Sequence, residues 1–225
     1  MRTAIIRLLA LLPALTLHEF SHAWSAVRAG DPTPRLQGRL TLNPLAHLDP
    51  IGTLMILFAP IGWAKPVQIN PANFRNPVRD NIITSFCGPL SNIVQAFFWS
   101  LVLRLIGTVA PEAIWASYSK ATLLGGFLAF MILLNFALAI FNLLPIGPLD
   151  GHHIMEGLLP YPYSVEYSRF NSQYGMLVLI GLIALPFLTG INILSWLVVI
   201  PSQVVGGAVS GQSILDLIAT AGLFT

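Results

Sequence analysis

The chain carries apolar runs too long to be hidden in a small soluble core, and one of them, Ala4 to Val27, holds His18-Glu19-Phe20-Ser21-His22 in its second half. A run of about 20 apolar residues is what a helix needs to cross the hydrocarbon of a bilayer. Such a helix satisfies its own backbone groups, so its apolar side chains can face lipid. Ionisable side chains inside it are costly unless they pair or bind something, which marks them as a functional site. Residues i and i+4 share one helical face, so His18 and His22 can converge on a single metal ion while Glu19 reaches a water at that metal.

Four further runs have a comparable character: Ile82 to Val109, Ala121 to Leu144, Gln173 to Leu188 and Ile191 to Val205. The last two are short, with Thr189-Gly190 between them and Pro186 and Pro201 nearby, and they read as two tilted spans or one broken hairpin. A sixth run, Ile51 to Trp63, is only about 13 residues long and contains Gly52, Pro60 and Gly62, which favours a re-entrant hairpin over a span. The expected fold is an all-α polytopic membrane protein with about five to six transmembrane helices and a re-entrant hairpin loop. Residues 1–225 are expected to form a single membrane-embedded domain, because no repeat, low-complexity tract or soluble appendage interrupts them. Composition points the same way: 55% of residues are hydrophobic, 9% are charged and the mean hydropathy is +0.76, far from the values of a soluble domain.

Of 11 Lys and Arg, six (Arg28, Arg35, Arg39, Lys65, Arg75 and Arg79) fall between the first and second long runs. Spread along a loop, they read as an orientation signal that places this loop in the cytoplasm, and not as a nucleic-acid surface. Arg2 and Arg7 lie on the opposite side in that arrangement, against the rule. Cys87 stands alone, so no intrachain disulfide can form. No small-x-small cleavage site follows the first run, so a cleaved signal peptide is not expected.

A catalytic zinc commonly takes three protein ligands and leaves a fourth position to water. The candidates for a third are His47, Asp49, Asp150, His152, His153, Glu156 and Asp216. Asp150 is the best placed. Pro145 and Pro148 break the helix before it, and unwound backbone that lines a cavity lets a carboxylate turn toward a metal held on another helix. With the loop in the cytoplasm, Asp150 lies toward the cytoplasmic end of its helix, and the two histidines about two turns inside that end of theirs.

HEFSH in the first run, Gly88-Pro-Leu-Ser-Asn92 in a later one and NLLPIGPLDG closing the next resemble the site-2 protease family of intramembrane zinc metalloproteases. Gly38 to Leu54 (GRLTLNPLAHLDPIGTL) and Gly62 to Asp80 (GWAKPVQINPANFRNPVRD) resemble the loop region of its short bacterial branch. The resemblance implies a three-helix catalytic core in a bacterial cytoplasmic membrane. It implies one zinc ion per chain on His18, His22 and Asp150, with Glu19 as general base. The implied substrates are transmembrane segments of other membrane proteins, cut in or near the bilayer with the active site toward the cytoplasm. Asn142 would polarise the scissile carbonyl or steady the substrate strand; the other reading is that it bonds a carbonyl freed by Pro145. Two features depart from the family: His152 and His153 follow Gly151 where a small residue is common, and appended PDZ or CBS modules, found in some relatives, are not expected.

Asn92 reads as a packing residue or as part of the substrate path, and His47 as a hydrogen-bonded loop residue. The rival functions are a zinc transporter or metal sensor, whose ligands should be strung along a pathway, and an inactive scaffold, which has no need of Glu19. A metalloprotease family with a distal Glu ligand is disfavoured by the Asp-Gly motif. Substrate identity and oligomeric state have no signature in the sequence.

Overall fold

A computed structural model of the chain describes residues 2–52, 64–117 and 120–221. Its main helices are α1 (Arg2–Ala29), α2 (Pro77–Val109), α3 (Leu123–Asn142), α4 (Asp150–Leu158), α5 (Tyr163–Thr189), α6 (Ile200–Ser210) and α7 (Ile214–Thr220). A short antiparallel pairing of β1 (Trp115–Ser117) with β2 (Lys120–Ala121) lies between α2 and α3.

Helix α2 packs against α1, α3 and α4, and its sequence shows why it can. Its buried residues, Ser85, Gly88, Asn92, Ala96, Ser100 and Leu103 among them, recur every three to four positions and are mostly small or polar. Phe86, Leu90, Val94, Phe97, Leu101 and Leu105 point outward. This inverts the pattern of a soluble helix. Small side chains let neighbouring backbones approach closely, and the large apolar ones face lipid. Along α1 the buried stripe is Ile6, Ala10, Ala14, His18 and His22, spaced by four, so the histidines continue the face that the alanines press against the bundle. Beyond them the core is apolar, built from Ile6, Leu103, Leu128, Ile132, Phe136 and Leu217 and their neighbours.

Among the described residues α2, α3 and α5 are long and apolar enough to cross a membrane, and a fourth span exists if Ser195–Ser210 and α7, bent by 98°, count as one. This is fewer than the five to six read from hydropathy. Helix α1 runs unbroken through 28 residues and carries His18, Glu19 and His22 within it, and the run from Ile191 is wound as a π-turn, Ser195–Val199, that leads into α6. The run expected from Gln173 starts ten residues earlier, at Tyr163, because its polar first turns pack beside α4.

The expected hairpin at Ile51 to Trp63 lies almost wholly outside the described residues. Its flanks are described: Leu48 pairs antiparallel with Ala64, and the Lys65 amide donates to the His47 carbonyl. The Arg39 guanidinium donates to the carbonyls of Ala46 and Lys65 and clamps both flanks. The His47 ring bonds the Thr41 carbonyl at 2.8 Å, a loop role. Asp31 ties the end of α1 to the return of the loop, accepting from the Asn70 amide and the Asn73 side chain at 2.8 Å each, and from Thr33. Burial alone would raise its carboxyl pKa, but these donors together hold it below the ordinary carboxylate value.

Candidate metal centre

The two Nε2 atoms of His18 and His22 stand 3.1 Å apart on one face of α1. Asp150 brings Oδ2 to 3.3 Å from His18 Nε2 and Oδ1 to 3.3 Å from His22 Nε2. All three side chains are buried or nearly so, and among the described residues Asp150 Oδ2 has no hydrogen-bond donor.

The outer hydrogen bonds place a proton on Nδ1 of each imidazole and leave Nε2 facing the cluster. His18 Nδ1 lies 2.7 Å from Asn92 Oδ1, while the Asn92 amide nitrogen donates to the Ala14 carbonyl and to Asn135 Oδ1. The Asn92 oxygen therefore accepts, and His18 carries its proton on Nδ1. His22 Nδ1 lies 2.8 Å from the Thr84 carbonyl, which can only accept, so its proton is fixed in the same way. In the neutral form in which imidazoles bind a metal, both Nε2 lone pairs would face each other and a carboxylate across a few ångströms. Electron-rich atoms so placed repel unless a cation lies between them. Ligands on one tetrahedral zinc, with bonds of about 2.0–2.1 Å, stand roughly 3.3–3.4 Å apart, so the donor set fits that ion.

Asp150 reaches the centre through a loop that α5 supports. The break in the chain is where Pro145 and Pro148 were expected to put it. Asp150, however, opens the separate helix α4 and does not close the preceding one. Gly147 donates its amide to Asn171 Oδ1 at 2.8 Å, and the Tyr167 hydroxyl donates to the Pro145 carbonyl at 2.8 Å. A Cβ on Gly151 would lie 2.3 Å from the Leu143 carbonyl oxygen, so glycine is required for α4 to start against the end of α3. Neither Tyr167 nor Asn171 was legible beforehand, because nothing local in their sequence points to the loop they hold.

Glu19 Oε2 accepts the Val67 amide at 2.9 Å, which fixes the carboxylate beside the extended residues that follow the Leu48–Ala64 bridge. Glu19, Val67, Asn142 and Pro148 line, with the three donor residues, a cavity of about 410 Å³. Asn142 reaches that cavity but gives its amide to the Leu138 carbonyl at 2.9 Å. The carbonyl freed by Pro145 is that of Phe141, and the Leu144 amide serves it instead. Asn92, read as packing or substrate path, is the acceptor that orients His18. Replacing Asn92 by Leu keeps the branched shape and removes both the acceptor for His18 and the amide donor to Ala14 and Asn135. The expected result is a fall in metal affinity of roughly 10- to 100-fold, measured by competition with a chromophoric chelator; unchanged affinity would dismiss the orienting role.

The family model described as Peptidase family M50 matches residues 106–182, which include Asp150 but not the two histidines of α1. Among curated proteins, "Putative zinc metalloprotease YwhC" of Bacillus subtilis (strain 168) is 40% identical over 178 residues, covering 79% of this chain and 80% of that protein. "Putative zinc metalloprotease Rip2" of Mycolicibacterium smegmatis is 30% identical over 182 residues, with 79% and 66% covered. The protein of the same name from Mycobacterium tuberculosis is 28% identical over 193 residues, with 83% and 70% covered. No solved structure matches the chain.

Proposed function

This chain belongs to peptidase family M50, and from that membership we propose that His18, His22 and Asp150 hold its zinc ion while Glu19 serves as the general base. It is a membrane zinc metalloprotease, an enzyme that hydrolyses peptide bonds. The observation that carries the residue assignment is the convergence of three side chains: the two Nε2 atoms lie 3.1 Å apart and each lies 3.3 Å from one oxygen of Asp150, with the histidine Nδ1 protons tied to Asn92 and Thr84.

Zinc bound there supplies acidity to a water molecule and a Lewis acid for a carbonyl oxygen. Glu19 takes the proton of the attacking water and returns it to the leaving amine. The Val67 amide holds the Glu19 carboxylate in place for both transfers. Asn142, on the wall of the same cavity, steadies the substrate chain. The substrates are transmembrane segments of other membrane proteins, which must unwind locally before attack because a helix hides its carbonyls in i to i+4 bonds. One domain, residues 1–225, carries the whole reaction; α7 packing back on α3 supports this.

The test is to purify the full chain in detergent, measure zinc, and incubate it with a panel of single-span membrane proteins. Cleavage that stops on chelation and returns with zinc is expected. A zinc-loaded preparation that cuts none of them would count against the substrate class.

The enzyme sits in a bacterial cytoplasmic membrane with residues 28–79 on the cytoplasmic side. The six positive charges of that loop support the orientation. The Leu48–Ala64 bridge and the bonds from Asp31 to Asn70 and Asn73 support entry and exit of the hairpin at one face. In a chain with Cys87 replaced by Ser, cysteines at the exposed positions Gln37 and Ala72 should both react with a membrane-impermeant maleimide from the cytoplasmic face. Labelling from opposite faces would mean that the segment between them crosses the bilayer.

A further inference from the structure

A second group of metal-binding side chains lies one turn beyond Asp150. His152 and His153 sit in the first turn of α4 and Glu156 in the next. His152 Nε2 is 3.8 Å and His153 Nδ1 is 3.9 Å from the same carboxylate oxygen of Glu156. All three donor atoms lie within 4.8 Å of one another. The spacing is what a helix provides, since i, i+3 and i+4 share a face. His152 is held from outside. Its ring packs on Tyr167, centroid to centroid 5.3 Å, and Tyr167 is anchored on the Pro145 carbonyl. His153 is half exposed and stands in the wall shared by the metal-centre cavity and an adjoining cavity of about 800 Å³.

We propose that His152, His153 and Glu156 bind a second divalent cation of the zinc class, separate from the ion at His18, His22 and Asp150. Two imidazoles and one carboxylate suit zinc or a neighbouring transition metal, whereas calcium and magnesium favour all-oxygen shells. Distances also rank the two sites. The first donor set already stands at the separation of tetrahedral ligands, whereas in the second each histidine nitrogen must close on Glu156 by about half an ångström to reach roughly 3.4 Å. The half-exposed His153 can make that movement by turning its side chain, so the second ion binds more weakly and exchanges more easily. Once bound, it neutralises Glu156 and fixes His153 in the wall between the two cavities.

The experiment is equilibrium dialysis of the tag-free full chain in detergent against Zn²⁺ alone, read as metal per chain, with Co²⁺ absorption as a second readout. Wild type is expected to take up two ions in two separable steps. His153→Asn and Glu156→Gln, both at positions where packing is loose, should each lose the weaker step and keep the Co²⁺ spectrum of the tighter site. His18→Asn should lose the tighter step and keep the weaker one, so the fate of the catalytic assignment is read separately. Saturation of wild type at one ion, or survival of the second step in both His153→Asn and Glu156→Gln, would overturn the proposal.

Discussion

Glu19→Gln should purify with its zinc and leave substrate uncut. The carbonyl oxygen of a glutamine can accept the Val67 amide as Glu19 Oε2 does at 2.9 Å, so the loop over the cavity keeps its anchor. The three donor residues are untouched, so metal content should equal that of wild type. What the amide cannot do is take up a proton at neutral pH. A positioned acid–base group contributes about 10²–10⁴-fold to the rate, and the loss should fall in that range with turnover reduced at unchanged zinc. Activity within a few-fold of wild type would remove Glu19 from the proton transfers. Loss of zinc in the same variant would show instead that Glu19 builds the site.

Gly88→Ala should weaken metal binding while favouring the helix on which residue 88 sits. A Cβ at this position would fall 2.2 Å from His22 Nε2, 2.6 Å from His22 Cε1 and 2.8 Å from His18 Cε1. Neither ring can swing aside freely, because His22 is tied to the Thr84 carbonyl and His18 to Asn92. Either α2 withdraws from α1 or the imidazoles leave their positions. Overpacking of this kind costs about 1–3 kcal/mol, roughly 5- to 150-fold in metal affinity, and cleavage should fall with it. Alanine favours helix over glycine by about 0.8–1.0 kcal/mol, so a general loss of helix cannot be the cause. Gly107→Ala is the control. It lies on the same helix with no neighbouring atom within 4 Å of the added Cβ, and it should bind zinc and cleave as wild type does. If Gly88→Ala also kept full zinc affinity, the close packing of α2 on the histidine pair would be refuted.

Much of this molecule can be read from neighbouring residues. The HExxH pattern places His18 and His22 on one face through helical geometry alone, and Pro145 with Pro148 fixes the break before Asp150. Long apolar runs gave α2 and α3 to within a few residues, because a lipid-facing helix needs no partner to declare itself. Reading was weaker where polar residues begin a helix. Tyr163 to Ser172 looks like loop by hydropathy, yet it forms the first turns of α5, where Tyr167 and Asn171 support the Asp150 loop.

The sequence by itself determined the donor types, the spacing of the first two and the membrane setting, because each depends on residues within one or two helical turns. Tertiary structure decided what joins them. Asn92 meets His18 across 74 positions, the Thr84 carbonyl meets His22 across 62, and Val67 meets Glu19 across 48. Asn92 could have been a packing residue on any face of α2 until the crossing of α1 and α2 set it against an imidazole. Such pairings follow from how small-residue faces such as Ala10, Ala14 and Gly88 let the helices approach, and no local periodicity encodes which long-range partner arrives there.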